Sequence, residues 1–219
     1  MWIIANWKSN KTIAEALDWI SQIGPQIPKS EKLRVIVCPT FDALSEVKKA
    51  IIVGNFPLLV GAQDLSPFGT GAYTGEEPVQ TLSQFIDFVI VGHSERRQNF
   101  GETDEMIAKK VVQALDNNIT PLVCVQDENT PVPEGCKLVV FEPVFAIGTG
   151  NPDTPENADE IAKKLKEKYG DGLEVLYGGS VNSQNVKGFI SKPNISGVLV
   201  GNASLDAEEF VKICKNCAL

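Results

Sequence analysis

Short apolar runs alternate with amphipathic stretches along the whole chain. The apolar runs are rich in β-branched residues and mostly lack alternating polar positions, as expected of strands that are covered on both faces. The stretches between them have apolar positions three and four residues apart, which is the spacing of one helix face. The pattern predicts strands at Trp2–Ala5, Arg34–Cys38, Leu58–Ala62, Phe88–Val91, Pro121–Val125, Leu138–Glu142, Glu174–Tyr177 and Gly197–Val200.

Several of the stretches between the strands begin with helix start signals. Residues 12–15, Thr-Ile-Ala-Glu, match a capping box. Thr154 precedes Pro155 and Glu156, which puts a cap, a first-position proline and an acid at one helix start. Asp206 precedes the last amphipathic stretch. We therefore expect helices to begin directly after Thr12, Thr154 and Asp206.

Strands that alternate with helices predict an α/β fold with a parallel sheet. Eight strands favour a closed (β/α)₈ barrel made of one domain, residues 1–219, although an open doubly wound sheet fits the periodicity almost as well. One connection is unusual, because only Gln126–Lys137 separates the fifth and sixth strands. This segment contains Pro131, Pro133 and Gly135, which leave no room for a full covering helix. We expect this helix to be missing or replaced by a loop.

Composition and charge narrow the classes of function. A chain of 219 residues that is 43% hydrophobic can bury one full core. Its five scattered cysteines suggest a reducing compartment, no apolar stretch approaches the roughly 18 residues of a membrane span, and no secretory signal opens the chain. We therefore expect a cytoplasmic protein with no membrane partner. The net charge of −8 argues against nucleic acid, so an anionic substrate would have to be attracted locally.

Three chemically active residues lie at predicted strand ends, where the loops of a parallel barrel form the active site. Lys8 follows the first strand, His93, the only histidine, follows the fourth, and Glu142 ends the sixth. The lysine could neutralise an anion, and the histidine, just before a helix start, would favour its neutral form. A carboxylate that ends an apolar strand suggests a function. Taken singly, each also fits an ordinary role as a surface lysine, a structural histidine or a strand-terminal acid.

Glycine-rich turns follow the last three strands. Residues 143–150 contain two glycines among mostly small or apolar residues, as in a lid that excludes water. The turns Tyr177–Val181 and Gly201–Ser204 lead into helix starts, where backbone N–H groups can bind an anion. Because barrels place phosphate sites in the loops after strands seven and eight, the two turns together predict a phosphate site.

Taken together, these segments resemble the triosephosphate isomerase family, and the match runs through nearly the whole chain. The His-Ser-Glu-Arg-Arg and Glu-Pro-Val-x-Ala-Ile-Gly-Thr-Gly stretches are highly specific. The segments that carry the resemblance are Ala5–Lys8, Gly71–Glu76, Val91–Arg97, Glu142–Gly150 and Tyr177–Val181.

The resemblance implies the interconversion of dihydroxyacetone phosphate and D-glyceraldehyde 3-phosphate, in glycolysis and gluconeogenesis, with a small phosphorylated triose as substrate and neither a cofactor nor a metal. It makes Glu142 the base and a neutral His93 the group that polarises the carbonyl oxygen; the family is the standard example of this pairing. Lys8 and Asn6 would bind the substrate and stabilise the developing negative charge. Glu95 would support the site.

The resemblance also implies how the phosphate and the base are held. Two apolar residues, Ile147 and Leu199, match those that clamp around the base, and desolvation by such a clamp raises the basicity of a carboxylate. Backbone amides for the phosphate would come from Gly148, Ser180, Gly201 and Asn202.

The chain departs from the family's pattern in four places. Phe145 stands where the lid usually has tryptophan, Gln126-Asp127 replaces the usual Gly-Glu, and the following segment is too short for the family's fifth helix. Asn202 stands where the eighth loop usually has a second glycine. A glycine there suggests a positive φ, which asparagine tolerates better than most residues do.

The resemblance implies an oligomer, with a homodimer expected and a tetramer as the second choice. Gln63–Pro78 resembles the family's intersubunit loop, in which the threonine that matches Thr74 reaches the neighbouring active site. Without the fifth helix, the outward faces of Pro121–Val125 and Leu138–Phe141 lose their usual cover. Either Gln126–Lys137 folds over this gap or a neighbouring subunit closes it.

Two other functions stay open from the residues. Another phospho-sugar barrel enzyme, such as an aldolase or a lyase, would need a Schiff-base lysine or a metal cluster at the strand ends, and the sequence suggests neither. Cys214 and Cys217 form a Cys-x-x-Cys pair, but zinc would require a second pair. A non-catalytic phosphate-binding barrel is the alternative from a different class, and the presence of Glu142, His93 and Lys8 argues against it.

Overall fold

A computed structural model describes residues 1–218 and has the predicted architecture, a closed barrel of eight parallel strands. Every strand pairs with its neighbours in chain order, so the open doubly wound alternative is excluded. The observed strand bounds differ from the predicted ones by two residues at most. The strands are β1 Trp2–Asn6, β2 Arg34–Cys38, β3 Leu59–Ala62, β4 Phe88–Val91, β5 Thr120–Val125, β6 Leu138–Phe141, β7 Glu174–Tyr177 and β8 Ile195–Val200.

The barrel closes where β1 pairs with both β2 and β8. Trp2 is in register with Arg34 on one side and with Gly197 on the other. A Cβ atom at Gly197 would collide with the carbonyl oxygen of Trp2. The missing side chain therefore allows the first and last strands to approach closely enough to close the barrel.

Both faces of the sheet are buried, which explains the uninterrupted apolar runs in the sequence. Successive residues of a strand point to opposite faces, so Ile4 packs inside the barrel while Ile3 packs against the outer helices. The interior is filled by Trp2, Ile4, Ile36, Cys38, Phe88, Ile90, Leu122, Cys124, Leu138, Val140, Leu176 and Leu199.

The predicted helix starts at Thr12, Thr154 and Asp206 are confirmed. The Thr12 side chain accepts a hydrogen bond from the N–H of Glu15, whose carboxylate accepts one in return from the N–H of Thr12. The side chains of Thr154 and Asp206 likewise accept a hydrogen bond from a backbone N–H in the first turn of their helices. The helices of residues 1–218 are α1 Ile13–Ile23, α2 Leu44–Gly54, α3 Val79–Leu82, α4 Ser94–Phe100, α5 Asp104–Asp116, α6 Pro155–Tyr169, α7 Val186–Ile190 and α8 Ala207–Cys217.

Residues 126–137, between β5 and β6, contain turns and no helix. The Asp127 carboxylate caps the first turn by accepting hydrogen bonds from the N–H groups of Asn129 and Thr130. Further along, the N–H of Val132 donates to the hydroxyl of Tyr169 on α6 over 3.2 Å. The segment is thereby tied down at both its beginning and its middle.

The same segment covers the outward face of the two strands. Cys136 is buried, and its thiol donates to the carbonyl oxygen of Leu138 over 3.2 Å. Val132 packs against the outer core, and the outward-facing Val123 and Val139 are fully buried. Of the two ways to close the gap, this fold uses the loop and needs no second subunit there. No helix of residues 1–218 is both long enough and apolar enough to span a membrane.

Candidate active site

A cavity of about 190 Å³ opens at the carboxyl ends of the strands. It is lined by residues from the ends of β1, β4, β6, β7 and β8, which are far apart in the sequence. All the catalytic and binding residues expected from the sequence lie on its wall, namely Asn6, Lys8, His93, Glu142, Gly148, Ser180, Gly201 and Asn202.

Lys8 brings a positive charge to one side of this cavity, and the neutral side chain of Asn6 lies on the same wall. Asn6 ends β1, and its side-chain oxygen accepts a hydrogen bond from the N–H of Lys8 over 3.1 Å. Lys8 has a φ of +53°, a left-handed conformation that is costly for a lysine and that is often retained at functional sites. Its Nζ lies 2.5 Å from the Glu95 carboxylate, which holds the ammonium group at the cavity wall.

His93 caps helix α4 with its own imidazole. Its Nδ1 accepts a hydrogen bond from the N–H of Glu95 over 3.2 Å. A ring nitrogen that accepts a hydrogen bond carries no proton, so this contact favours the tautomer with the proton on Nε2. The Nε2 atom lies 3.3 Å from Oε1 of Glu142. The helix start thus fixes both the orientation and the tautomer of the ring.

Glu142 is the first residue after β6, and only 2% of its surface is exposed. Its N–H donates to the carbonyl oxygen of Val125 over 2.8 Å, which extends the strand ladder by one bond. Gly178 leaves room for the Glu142 side chain. A Cβ atom at position 178 would lie only 3.2 Å from the Cγ of Glu142. Ile147 and Leu199 line the same cavity and add apolar surface to its wall.

The loop that follows Glu142 is held by hydrogen bonds to two side chains, Tyr177 at the end of β7 and Ser180 in the loop after it. The Ser180 hydroxyl donates to the carbonyl oxygen of Ala146 over 2.6 Å and accepts from the N–H of Gly150 over 3.1 Å. The Tyr177 hydroxyl accepts from the N–H of Asp153 over 2.8 Å. Burial raises the pKa of Tyr177 well above its ordinary value, so this hydroxyl stays neutral. Phe145, the lid residue that differs from the family, is 63% exposed.

The opposite end of the cavity presents free backbone N–H groups. Ser180 has a φ of +50°, and within residues 1–218 neither its N–H nor that of Val181 has an acceptor. Gly201 precedes a short 3₁₀ helix, Asn202–Ser204, whose first N–H groups have no partner inside the helix. Two clusters of donors therefore face the region where an anion would bind.

The expectation that Asn202 has a positive φ is wrong. It is absent from the residues with positive φ and is instead the first residue of the 3₁₀ helix. The turn into this helix takes place at Gly201, which has φ −85° and ψ −111°. The N–H of Asn202 is free because it belongs to the first residue of a helix, where no earlier turn supplies an acceptor.

One cavity-lining residue was not expected from the sequence. Asn182 comes directly after the glycine-rich turn of the seventh loop and contributes to the wall. Extending that turn by one residue would have included it. Among residues 1–218, no three His, Cys, Asp or Glu side chains are grouped as ligands of a metal ion would be.

Comparison with known proteins gives a consistent result. The family model described as triosephosphate isomerase matches residues 1–137 and 133–217. The chain is 40% identical to the triosephosphate isomerase of Caldanaerobacter subterraneus, covering 96% of this chain and 97% of the relative. It is 36% identical to that of Dehalococcoides mccartyi, covering 99% and 96%. With the triosephosphate isomerase of Endomicrobium trichonymphae it shares 39% identity, covering 96% of both chains.

Proposed function

Because the chain belongs to the triosephosphate isomerase family, its reaction is the interconversion of dihydroxyacetone phosphate and D-glyceraldehyde 3-phosphate, and we propose that the cavity lined by Glu142, His93 and Lys8 is where this reaction takes place. The observation that carries the proposal is the 3.3 Å approach of the His93 Nε2 to the Glu142 Oε1 in a buried cavity that also holds the Lys8 ammonium group. A base, a neutral hydrogen-bond donor and a fixed positive charge are what proton transfer next to a carbonyl requires.

Glu142 is the base in this proposal. Its carboxylate removes a proton from the carbon next to the carbonyl group, and the electron pair of that C–H bond forms the double bond of an enediolate. The hydroxyl proton on the first carbon then passes to the oxygen of the second, a transfer for which the His93 Nε2 is placed. The carboxylic acid of Glu142 finally delivers its proton to the second carbon, and the aldehyde forms at the first, which completes the exchange between ketose and aldose. Ile147 and Leu199 line the cavity, and we expect them to close around the carboxylate with substrate bound, which would keep water away and preserve its basicity.

His93, Lys8 and Asn6 stabilise the charge that develops on oxygen. The Nε2–H of His93 donates to the carbonyl oxygen as it becomes negative, and a neutral donor is favoured because Nδ1 already accepts from a backbone N–H. The Lys8 ammonium group adds a full positive charge in a site with little water, where it acts more strongly than in solvent.

The phosphate is bound by backbone amides in this proposal. The donors are the N–H groups of Gly148 in the lid, Ser180 in the seventh loop, and Gly201 and Asn202 in the eighth loop. Such donors attract an anion locally, which a chain with a net charge of −8 needs. The lid contacts of Ser180 and Tyr177 then keep water from the enediolate, which would otherwise lose its phosphate.

A coupled assay tests the function directly. D-Glyceraldehyde 3-phosphate is supplied with a dehydrogenase that reduces dihydroxyacetone phosphate, and the loss of NADH absorbance is followed. We expect turnover that depends on the purified chain, and a Glu142→Gln protein provides the matched blank. A wild-type protein without turnover would overturn the proposal and leave a non-catalytic phosphate-binding barrel.

We further propose that the chain is a homodimer. The segment Gln63–Pro78 exposes two aromatic side chains, Phe68 and Tyr73, whose rings stack with centroids 4.4 Å apart. Aromatic side chains are enriched at the cores of protein interfaces. The exposed Thr74 follows them and would reach the active site of a second copy. A tetramer is the second choice, and the loop cover of β5 and β6 removes one argument for it.

A single cytoplasmic domain, residues 1–219, completes the proposal. The barrel takes its strands from Trp2 through Val200, and the outer core includes α8 near the end of the chain. All five cysteines are free and buried, as expected of a protein in a reducing compartment. The reaction would serve glycolysis and, in the opposite direction, gluconeogenesis.

A further inference from the structure

The carboxamide of Asn185 spans the phosphate-binding turn of the seventh loop. Its Nδ2 donates to the carbonyl oxygen of Ser180 over 3.0 Å, and its Oδ1 accepts from the N–H of Asn182 over 2.9 Å. The side chain thus bonds to the backbone on both sides of Val181. Asn185 is half-buried and does not line the cavity.

This contact holds a conformation that the backbone would otherwise leave. Ser180 has a φ of +50°. This left-handed conformation is unfavourable for a serine relative to the helical and extended regions, so it needs contacts that hold it. In a trans peptide the N–H of Val181 points away from the carbonyl oxygen of Ser180. By donating to that oxygen, Asn185 fixes the plane of the Ser180–Val181 peptide, so the N–H of Val181 points away from the Asn185 side chain.

The peptide that this contact fixes carries the N–H of Val181, which adds a further donor beside the N–H of Ser180 at the cavity wall. Within residues 1–218, the N–H groups of Ser180 and Val181 have no acceptor, and both residues line the cavity. Asn182 reinforces the clamp, because its side-chain oxygen accepts from the N–H of Asn185 over 3.0 Å. The two asparagines are therefore joined by reciprocal bonds around the turn.

We propose that Asn185 is a positioning residue for the phosphate group: it acts through the Ser180–Val181 peptide and keeps the amide donors of the seventh loop aimed at the dianion. The inference rests on the proposed function, because it takes the triose phosphate as the ligand of this cavity. It predicts an effect on phosphate binding that is separable from the chemistry at Glu142 and His93, which lie on other loops.

The test compares Asn185→Ala with Gln184→Ala, whose exposed side chain is next to the clamp but makes no hydrogen bond within residues 1–218. Binding of inorganic phosphate is measured by calorimetry, and KM and kcat are measured with D-glyceraldehyde 3-phosphate. Two neutral hydrogen bonds are lost in Asn185→Ala, so we expect phosphate binding to weaken about 10- to 30-fold and KM to rise by a similar factor. Gln184→Ala should behave like the wild type.

A substrate without phosphate distinguishes positioning from general damage. Turnover of D-glyceraldehyde, which does not use the phosphate site, should be the same in Asn185→Ala and in the wild type. If Asn185→Ala does not fold, Asn185→Leu keeps the size of the side chain without adding charge but can neither donate to Ser180 nor accept from Asn182, and it should show the same selective loss. Phosphate binding within about twofold of the wild type in either folded variant, or an equal loss with both substrates, would overturn the inference. Failure of the proposed function is a different result, because the wild type would then lack activity with the phosphorylated substrate.

Discussion

The Nε2 atom of His93 lies 3.3 Å from Oε1 of Glu142, with both side chains almost fully buried. The two residues come from different strands, β4 and β6, and the barrel brings their carboxyl ends together. A base and a hydrogen-bond donor are thereby placed on the same small cavity before any substrate is bound. A substrate that displaces this contact can lose the proton on the carbon next to its carbonyl group to Glu142, while His93 stabilises the carbonyl oxygen.

Replacing Glu142 with glutamine should remove the base and leave the fold intact. The amide keeps the size of the side chain but cannot accept the proton, so kcat should fall by at least about 10²–10⁴. Binding of a triose phosphate analogue should survive, because the phosphate donors are on other loops. Steady-state kinetics and calorimetry measure the two effects. A folded Glu142→Gln protein with near-normal turnover would rule out this role.

His93 should be a neutral imidazole with its proton on Nε2. The N–H of Glu95 already donates to Nδ1, which leaves Nε2 as the only protonated nitrogen. Because the chain has one histidine, a ¹⁵N spectrum near neutral pH reports on this ring alone. We expect Nδ1 to show the shift of an unprotonated nitrogen and Nε2 that of a protonated one. The opposite tautomer or an imidazolium ion would contradict the assignment.

Removing the Tyr177 hydroxyl should loosen the lid. Tyr177→Phe keeps the stacking of this ring on Phe189, with centroids 3.9 Å apart, but loses the acceptor for the N–H of Asp153. One hydrogen bond of about 1 kcal/mol favours the closed lid by roughly fivefold. We expect kcat to fall by about this factor while the unfolding midpoint changes little. Unchanged kinetics would show that this contact does not govern closure.

Asn202 should act through its backbone alone. Since it has ordinary helical geometry, Asn202→Ala should bind phosphate as the wild type does. Asn202→Pro should weaken phosphate binding, because proline removes the N–H while it fits the first position of a helix. Calorimetry with inorganic phosphate compares the two proteins. Equal affinity in both would mean that this amide does not contact the anion.

The barrel fold and the residues of the cavity could be predicted from the sequence because the topology of the fold determines where those residues lie. Parallel strands bring all their carboxyl ends to one side, so reading the residue after each strand is enough to collect Lys8, His93 and Glu142. The strand bounds could be predicted from the apolar runs because both faces of each strand are buried. The family resemblance added the roles of these residues and the phosphate donors.

Local backbone geometry could not be predicted in the same way. The φ of Asn202 depends on how the chain turns at Gly201, and the substitution of a glycine by asparagine does not reveal it. The cover over β5 and β6 comes from a segment without periodicity, in which Val132 and Cys136 pack inward. The bond from Glu95 to His93, which selects the tautomer, depends on a side-chain rotamer as well as on the helix start.

The chain should form a dimer through the segment Gln63–Pro78, and Tyr73→Glu should break it. Tyr73 is 45% exposed and stacks on Phe68, and a carboxylate placed in a buried aromatic interface would lose its hydration without a partner. Val53→Glu is the matched control, because Val53 is 87% exposed near the end of α2, on the side of the barrel away from the cavity.

Sedimentation equilibrium at micromolar concentration measures the outcome. The wild type and Val53→Glu should have twice the 23.8 kDa mass of the chain, whereas Tyr73→Glu should approach the mass of one chain. Activity should fall with the dimer in Tyr73→Glu, because Thr74 would no longer reach the active site of a second copy. A fully active wild-type monomer would disprove the dimer. A wild-type tetramer would require a second interface, which the cover of β5 and β6 by residues 126–137 does not itself supply a reason for.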